Sequence, residues 1–294
     1  MSGTAGHAPT ARGDKILIGL IGGGIQASRA PVLHETEAAA QGLRCLYQLI
    51  DIDKLGLGTA ALGELLSAAE RTGFSGLNIT HPCKQAVIAH LDALAPEAEA
   101  IGAVNTVIFA DGKRTGYNTD APGFAEAFRR TMAGAVLNQV VQLGAGGAGA
   151  AVAHAALTLG VARLTLVDTD GTRAHALAAR LNARFGAGRA RAAMTPEAAL
   201  ANADGLINAT PIGMVGHPGQ PVASALLRPA LWVADVIYTP LETELLRAAR
   251  ALGCRTLPGG GMAVFQAVEA FRLFTGRPAD PERMLRHFAA LTAS

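Results

Sequence analysis

Residues 139–170 read QVVQLGAGGAGAAVAHAALTLGVARLTLVDTD, and this stretch decides the fold. Residues 139–143 form a short apolar run with the character of a buried strand. Gly144-Ala145-Gly146-Gly147-Ala148-Gly149 follows as a glycine loop, then an apolar helical segment over 150–159 and a second strand over 164–167. A bare G-x-G-x-x-G is a weak signal, so its context has to carry the reading. Here the loop sits between strand and helix with no proline, so the helix N-terminus can aim its free amides at a pyrophosphate. Gly149 permits close packing of helix on strand. Asp168 ends the second strand 24 residues after Gly144, near the spacing of about 20 at which an acid meets the ribose hydroxyls.

A carboxylate at that place accepts hydrogen bonds from both adenosine ribose hydroxyls and repels a 2′-phosphate. Thr169 and Asp170 come next, so no arginine stands directly beside Asp168. Arg173 is the nearest, and it is assigned to the adenine side. The cofactor expected from these residues is NAD, with Gly144, Ala145, Gly146, Gly147, Ala148, Gly149, Asp168 and Arg173 binding it.

A second match, Gly22-x-Gly24-x-x-Ala27, also follows a strand, with Asp51 at the end of the next strand. Pro31 argues against a helix starting directly at these glycines, and Ser28 is placed to cap one that begins later. This loop reads as a substrate-side turn. Outward from the two loops, strand and helix alternate almost everywhere. Strands are expected over 15–21, 45–50, 76–79, 205–208 and 231–236. Helices are expected over 30–41, around Leu62, Leu65, Leu66 and Ala69, after His81-Pro82, over 121–132, through Leu177, Leu181 and Phe185 to a stop at Gly186, through Leu245, Ala249 and Leu252, and over 262–276 and 281–291. Asp111-Gly112 between residues 104–109 and 115–118 signals a hairpin. The alternation predicts parallel α/β sheets, and its restart near residue 121 predicts two such units.

The 294 residues are half hydrophobic but only 4% aromatic, which suits cores of Ala, Val, Leu and Ile. A formal charge of +2 with scattered arginines gives no footprint for nucleic acid or an acidic membrane. Cys45, Cys83 and Cys254 stand in no C-x-x-C arrangement and the eight histidines in no H-x-x-x-H spacing, so neither a disulfide framework nor a metal site is expected. No apolar run reaches membrane length. Residues 1–14 lack the core of a secretory signal and read as a flexible polar start. A reducing cytoplasm is the compartment expected.

Oxidising an alcohol with NAD requires a group that takes the hydroxyl proton, and arginine stays protonated. The chain has four lysines, Lys15, Lys54, Lys84 and Lys113. Lys84 lies in Asn78-Ile79-Thr80-His81-Pro82-Cys83-Lys84, just past a buried strand end, where α/β enzymes place ligands. Gly102-Ala103-Val104-Asn105-Thr106 and Gly116-Tyr117-Asn118-Thr119-Asp120 follow. With Asn208-Ala209-Thr210-Pro211-Ile212-Gly213-Met214, Asp235-Val236-Ile237-Tyr238-Thr239-Pro240, Thr243, Gly261-Met262 and Gln266, these motifs resemble the shikimate dehydrogenase family over residues 15–290. With Asp168, Leu20-Ile21-Gly22 and Thr80-His81-Pro82, the chain looks closest to the NAD-dependent quinate/shikimate branch.

The resemblance implies an α/β fold of two domains. Residues 15–120 would form the substrate-binding catalytic domain, 121–258 a Rossmann-type parallel-sheet NAD domain, and 259–294 helices returning to the first. It implies Lys84 and Asp120 as the catalytic pair. Ser28, Thr80, Asn105, Tyr238 and Gln266 would hold a shikimate- or quinate-type acid, and Thr210, Val236 and Gly261 would join the cofactor site. It leaves room for a homodimer. Two departures stand out. Ser28-Arg29-Ala30 replaces the family's Ser-x-Ser or Ser-x-Thr, and Cys83 precedes the lysine where an aromatic is usual. The rival readings are a sibling dehydrogenase for an amino-substituted or otherwise modified ring acid, a non-catalytic NAD-binding regulatory module, and a folate-linked dehydrogenase, whose pterin the Asn105 and Gln266 motifs do not suit.

Overall fold

The computed structural model describes residues 15–292, so the flexible start expected over 1–14 lies outside the described residues. In chain order the first elements are β1 (Lys15–Gly22), α1 (Ala30–Ala40), β2 (Arg44–Asp51), α2 (Leu62–Arg71), β3 (Gly76–Ile79), β4 (Ala93–Leu94) and α3 (Pro96–Ile101). Then come β5 (Thr106–Ala110), β6 (Lys113–Tyr117), α4 (Asp120–Thr131), β7 (Gln139–Leu143), α5 (Gly147–Thr158), β8 (Arg163–Val167) and α6 (Gly171–Phe185). The chain continues through β9 (Ala190–Ala193), α7 (Glu197–Leu200), β10 (Gly205–Asn208), β11 (Trp232–Asp235), α8 (Glu244–Ala251), β12 (Thr256–Leu257), α9 (Gly260–Thr275) and α10 (Pro281–Thr292).

These elements form two compact units. One takes in the described residues up to Ala98, then Val104–Thr119 and the described residues from Ala267 on; the other takes Glu99–Ala103 and Asp120–Gln266. The sheet of the first unit has the order β2-β1-β3-β5-β6-β4. It is mixed rather than wholly parallel. β1 runs parallel to β2 and β3, whereas β5 is antiparallel to both β3 and β6. The Asp111-Gly112 turn, with φ angles of 52° and 70°, makes the expected hairpin between β5 and β6. One face of this sheet packs on Leu62, Leu66 and Ala69 of α2. A second apolar cluster joins Ile18, Leu20, Tyr47 and Ile108 to Ala270 and Phe274 of α9. α1 is tied to α10 through Glu37, which is 1% exposed and takes two bonds of 2.7 Å from the Arg283 guanidinium. Burial opposes the Glu37 charge, but Arg283, Asp280 N–H and Gln41 together hold its carboxyl below the ordinary range.

The second unit has the order β12-β11-β10-β7-β8-β9, with every pair parallel. β7 is its first strand, β8 leaves on one side and β10 on the other. The carboxyl end of β7 is therefore the topological switch point, where ligands settle in open α/β sheets. α5 is alanine-rich and buried along most of its length, which lets it lie close to the sheet.

Several local expectations shift. α5 begins at Gly147, three residues before the expected 150, because Gly146 takes the extended N-cap conformation. No α-helix follows His81-Pro82; a turn leads to one short 3-10 segment, Ala86–His90. The Lys84 carbonyl, which an α-helix would pair four residues on, instead accepts the Val104 amide at 2.8 Å. The short elements β4, α3, β9, α7 and β12 carry too few residues for a periodic signal. Among the described residues no helix is long and apolar enough to cross a membrane.

Candidate active site

The glycine loop of the second unit is shaped by contacts that exclude side chains. Gly144 has φ +92°, and a Cβ there would lie 2.6 Å from the Ala209 carbonyl oxygen. A Cβ on Gly149 would collide with the Gly144 carbonyl. Gly146 differs, since nothing lies within 4 Å of the place its Cβ would take. The protein itself does not need that residue bare, whereas a closely approaching pyrophosphate does. α5 begins at this point with no side chain bonded to its first amides, which leaves them for an anion. Gln142, fully buried on β7, holds the loop by donating through Nε2 to the Gly144 and Gly149 carbonyls at 2.9 and 2.8 Å. Sequence reading missed this residue, whose only signal is a polar side chain inside an otherwise apolar strand.

Asp168 follows β8. Its Oδ2 accepts the Ala145 amide at 2.7 Å and its Oδ1 the Asp170 amide at 2.9 Å. Each carboxylate oxygen has a further lone pair for a ribose hydroxyl. The bare Gly146, the uncapped helix start and this carboxylate together fit a dinucleotide. Arg173, assigned from sequence to the adenine side, pairs with Asp170 at 3.2 Å on the first turn of α6. At the end of β10, Asn208 accepts the Thr210 amide and hydroxyl at 3.1 and 2.7 Å, which fixes Thr210. Asn208 in turn donates to buried Asp235, which also accepts the Ile237 amide and the Thr243 hydroxyl. Burial pushes the Asp235 carboxyl up against these three donors. Val236 is tied to the Asn208 carbonyl at 3.0 Å, and Gly261 lies against Ala127.

The same unit carries three residues assigned to chemistry or substrate. Asp120 is buried in the first turn of α4. Tyr238 keeps 37% of its surface exposed, yet burial of its hydroxyl first and the Asp120 carboxylate second push the phenol up. Gln266 on α9 donates to the Ala263 carbonyl at 2.9 Å. α4 approaches it closely, since a Cβ on Gly123 would stand 2.7 Å from the Gln266 amide nitrogen.

The first unit carries Ser28, Thr80, Lys84 and Asn105. Asn105 is 3% exposed; its Oδ1 accepts the Thr119 amide at 2.7 Å and its Nδ2 donates to the Thr119 hydroxyl at 2.8 Å. Thr119 is thus pinned immediately before Asp120 in the chain. Asn78, buried on β3, braces this arrangement by donating to Thr106 Oγ1 at 3.0 Å and accepting Tyr47 OH at 2.8 Å. Thr80 and Lys84 are half-buried on the turn after β3. Lys84 and Asp120 belong to different units, and each is placed within its own.

The first glycine loop is built unlike the second. Asp51 accepts the amides of Gly24, Ile25, Asp53 and Lys54 and the Gln26 side chain, at 3.0 to 3.4 Å. Burial works against its charge, but these donors, Gln26 foremost, hold the carboxyl below its usual range. A carboxylate so engaged closes a turn rather than waiting for a ribose. α1 starts only at Ala30, with Ser28 Oγ accepting the Ala30 amide at 3.3 Å. The Ala30 methyl packs against the Ile18–Leu20–Tyr47 cluster.

Cys83 is fully buried in the core beside α2, and burial first and Asp53 second push its thiol up to about 11, so it stays protonated and packs. Among the described residues no group of three or more His, Cys, Asp or Glu side chains is set to hold a metal ion.

Comparison with known proteins agrees with this two-sheet architecture. The family model described as the shikimate dehydrogenase substrate binding domain matches residues 20–107, and that described as the shikimate 5′-dehydrogenase C-terminal domain matches 259–287. The chain is 62% identical to a shikimate dehydrogenase (NADP(+)) of Streptomyces avermitilis, covering 96% of this chain and 97% of the relative. It is 50% identical to a quinate/shikimate dehydrogenase (NAD(+)) of Corynebacterium efficiens, covering 95% and 99%. Its fold matches the quinate dehydrogenase of Corynebacterium glutamicum solved in complex with NAD, with a TM-score of 0.87 and 48% identity over 94% of this chain and 99% of the other. On its motifs, its two-sheet architecture and near-full-length identity of this order, the chain belongs to the shikimate dehydrogenase family.

Proposed function

We propose that this protein is an NAD-dependent dehydrogenase that interconverts quinate, shikimate or both with their 3-dehydro ketones. The nicotinamide cofactor itself is supported by relatives of both kinds, named for NADP(+) and for NAD(+). The choice of NAD rests on Asp168, a carboxylate at the end of β8 that holds the glycine loop and keeps acceptor capacity for the ribose hydroxyls. A 2′-phosphate brought there would meet a like charge.

The proposed division of labour runs along the chain. Residues 15–120 bind the ring acid, 121–258 bind the cofactor, and 259–294 return to the first domain. Ser28 and Tyr238 receive the carboxylate, and Thr80, Asn105 and Gln266 receive ring hydroxyls. The hydroxyl of Ser28 uses an oxygen lone pair for the Ala30 amide, which leaves its proton to donate to an anion. Asn105 is already oriented by Thr119, so little side-chain freedom remains to be lost on binding. Lys84 takes the proton of the reacting hydroxyl, and Asp120 holds lysine and hydroxyl in register. A nicotinamide held by the second unit would supply the acceptor for the hydride from the same carbon. Gly144, Ala145, Gly146, Gly147, Ala148 and Gly149 would hold its pyrophosphate, with Thr210, Val236 and Gly261 completing the cofactor site and Arg173 on the adenine side.

Steady-state turnover of quinate, shikimate and their dehydro forms, each with NAD and with NADP, tests this reading. The expected result is a higher kcat/KM with NAD for at least one of the two acids. A preference for NADP, or no turnover of either acid, overturns it.

A further inference from the structure

Asn105 stands at the end of a run of buried hydrogen bonds whose direction can be read bond by bond. Its backbone is fixed first, because its carbonyl accepts the Ile79 amide at 2.7 Å and its amide donates to the Tyr117 carbonyl at 3.0 Å. The same carbonyl accepts Asn78 Nδ2 at 3.3 Å. A carbonyl can only accept, so the nitrogen of the Asn78 side chain faces it and the oxygen faces Tyr47, whose hydroxyl donates at 2.8 Å. Asn78 Nδ2 also donates to Thr106 Oγ1 at 3.0 Å. The Thr106 proton then points to Asn105 Oδ1, at 3.1 Å. The Thr119 amide, which can only donate, reaches the same oxygen at 2.7 Å. Two donors thus occupy the two lone pairs of Asn105 Oδ1. Whatever Asn105 offers a ligand it offers through Nδ2, as a donor. Tyr47, Asn78, Asn105 and Thr106 are all buried, where such bonds are stronger than in water and an unmade one costs more.

We propose that Tyr47 and Thr106 are positioning residues for the ring acid, and that the amide polarity they fix makes Asn105 select a ring oxygen over a ring amine. This inference rests on the reading of Asn105 as a ligand for a ring hydroxyl and deepens it. A hydroxyl has lone pairs to receive an N–H from Nδ2. An ammonium group has three donors and no acceptor, so in the same place it sets N–H against N–H. Turning the amide over to receive it would bring Nδ2 onto the Thr119 amide and leave that buried donor without an acceptor. Tyr47 anchors the far end of the run. Its own amide donates to Glu35 Oε1 at 2.8 Å, and its ring stacks on His34 with centroids 5.1 Å apart. The phenol therefore meets Asn78 already oriented.

Steady-state kinetics and competitive inhibition test this. Thr106→Val keeps the shape and removes the donor, Thr106→Ser restores it, and Tyr47→Phe removes the first donor of the run. Thr106→Val should raise KM for the ring acid about fivefold to tenfold, the order of one hydrogen bond, with kcat changed less than about twofold. Tyr47→Phe should raise it about twofold to threefold, and Thr106→Ser should bring it back near the wild-type value. The cofactor KM should stay the same, since these residues and the glycine loop belong to different units. A merely structural role would lower Tm and leave the KM of the folded enzyme unmoved. The inhibitors are shikimate analogues in which a non-reacting ring hydroxyl is replaced by an amine, protonated at neutral pH, or by hydrogen. For one of the two positions the amine should bind the wild type at least about tenfold more weakly than the hydrogen analogue. Asn105→Asp, which exchanges Nδ2 for an oxygen, should narrow that gap. The analogue comparison needs no variant, so it decides even where Thr106→Val does not fold. Unchanged KM in folded Thr106→Val and Tyr47→Phe, with Asn105→Ala raising it, overturns the positioning role alone. Amines that bind as well as the hydrogen analogues at both positions overturn the selection for oxygen. An unchanged ring-acid KM in Asn105→Ala overturns the reading of Asn105 as a ligand and this inference with it.

Discussion

The carboxylate of Asp168 accepts the backbone amide of Ala145 at 2.7 Å, so the residue that ends one strand holds the glycine loop that ends its neighbour. Register makes this contact available: Val167 stands opposite Leu143, and the Gly144 amide bonds to the Val167 carbonyl at 2.8 Å. The acid proposed to select the ribose is thereby also a structural part of the glycine loop.

Asp168→Ala removes both roles. The freed Ala145 amide loses a charged acceptor, a loss of about 1.5 to 3 kcal/mol where water does not replace it. Affinity for NAD should fall about tenfold or more, the order of one lost charge-assisted bond. Thermal unfolding with and without NAD separates the two effects. A lower Tm with unchanged NAD affinity would remove the ribose contact from Asp168 and leave only the loop contact.

Gln142→Leu takes away the donor that joins the Gly144 and Gly149 carbonyls. Its Oε1 has no hydrogen-bond partner and is lost without penalty, so the net destabilisation should be about 1 to 2 kcal/mol. A loosened loop should raise KM for the cofactor more than it lowers kcat. Urea unfolding and cofactor titration together check this, and an unchanged cofactor KM would show that the loop keeps its shape without the staple.

Lys84→Ala should lower kcat by at least about a hundredfold, the usual range for removing a general acid or base. Cofactor affinity should persist, because Lys84 lies in the other unit from the glycine loop. Circular dichroism establishes that the variant is folded. Turnover near the wild-type rate would end the assignment of Lys84 to the proton.

A pH effect on stability is expected from His34. Its ring is fully buried among Tyr47, Phe271 and Phe274 with neither nitrogen bonded, and burial lowers its pKa from 6.5 to about 4, with Glu37 opposing. Between those values the unfolded chain binds a proton that the folded one does not. Stability should therefore fall as pH drops from about 7 toward 4, by about 3 kcal/mol from this group. His34→Phe cannot titrate and should show a shallower slope of unfolding free energy against pH. Equal slopes for the two proteins would assign the acid loss to other groups.

Local signals carried well where a residue's neighbours in sequence are also its neighbours in space. The strand over 139–143 begins and ends where its apolar run does, α6 stops at Gly186, and Asp111-Gly112 makes the expected hairpin. Segments of two to six residues, such as β4, β12 and α3, are too short to show a period. The helix expected after His81-Pro82 failed because the Lys84 carbonyl is claimed by Val104, a partner twenty residues away that no local pattern reveals.

The two glycine loops show where the division falls. The sequence by itself determined that both follow strands, that each has an acid at the end of the next strand, and that Pro31 delays one helix while nothing interrupts the other. Tertiary structure alone decided what the two acids do. Asp51 spends its carboxylate on five donors of its own turn and connection, whereas Asp168 gives one oxygen to Ala145 and one to Asp170 and keeps lone pairs for a ligand. Likewise only the folded chain joins Asn208 to Asp235 and Asn105 to Thr119. The reason is physical. Apolar periodicity and turn chemistry act over a few residues, while a hydrogen bond between groups some 14 to 27 positions apart exists only once strand register brings donor and acceptor within about 3 Å.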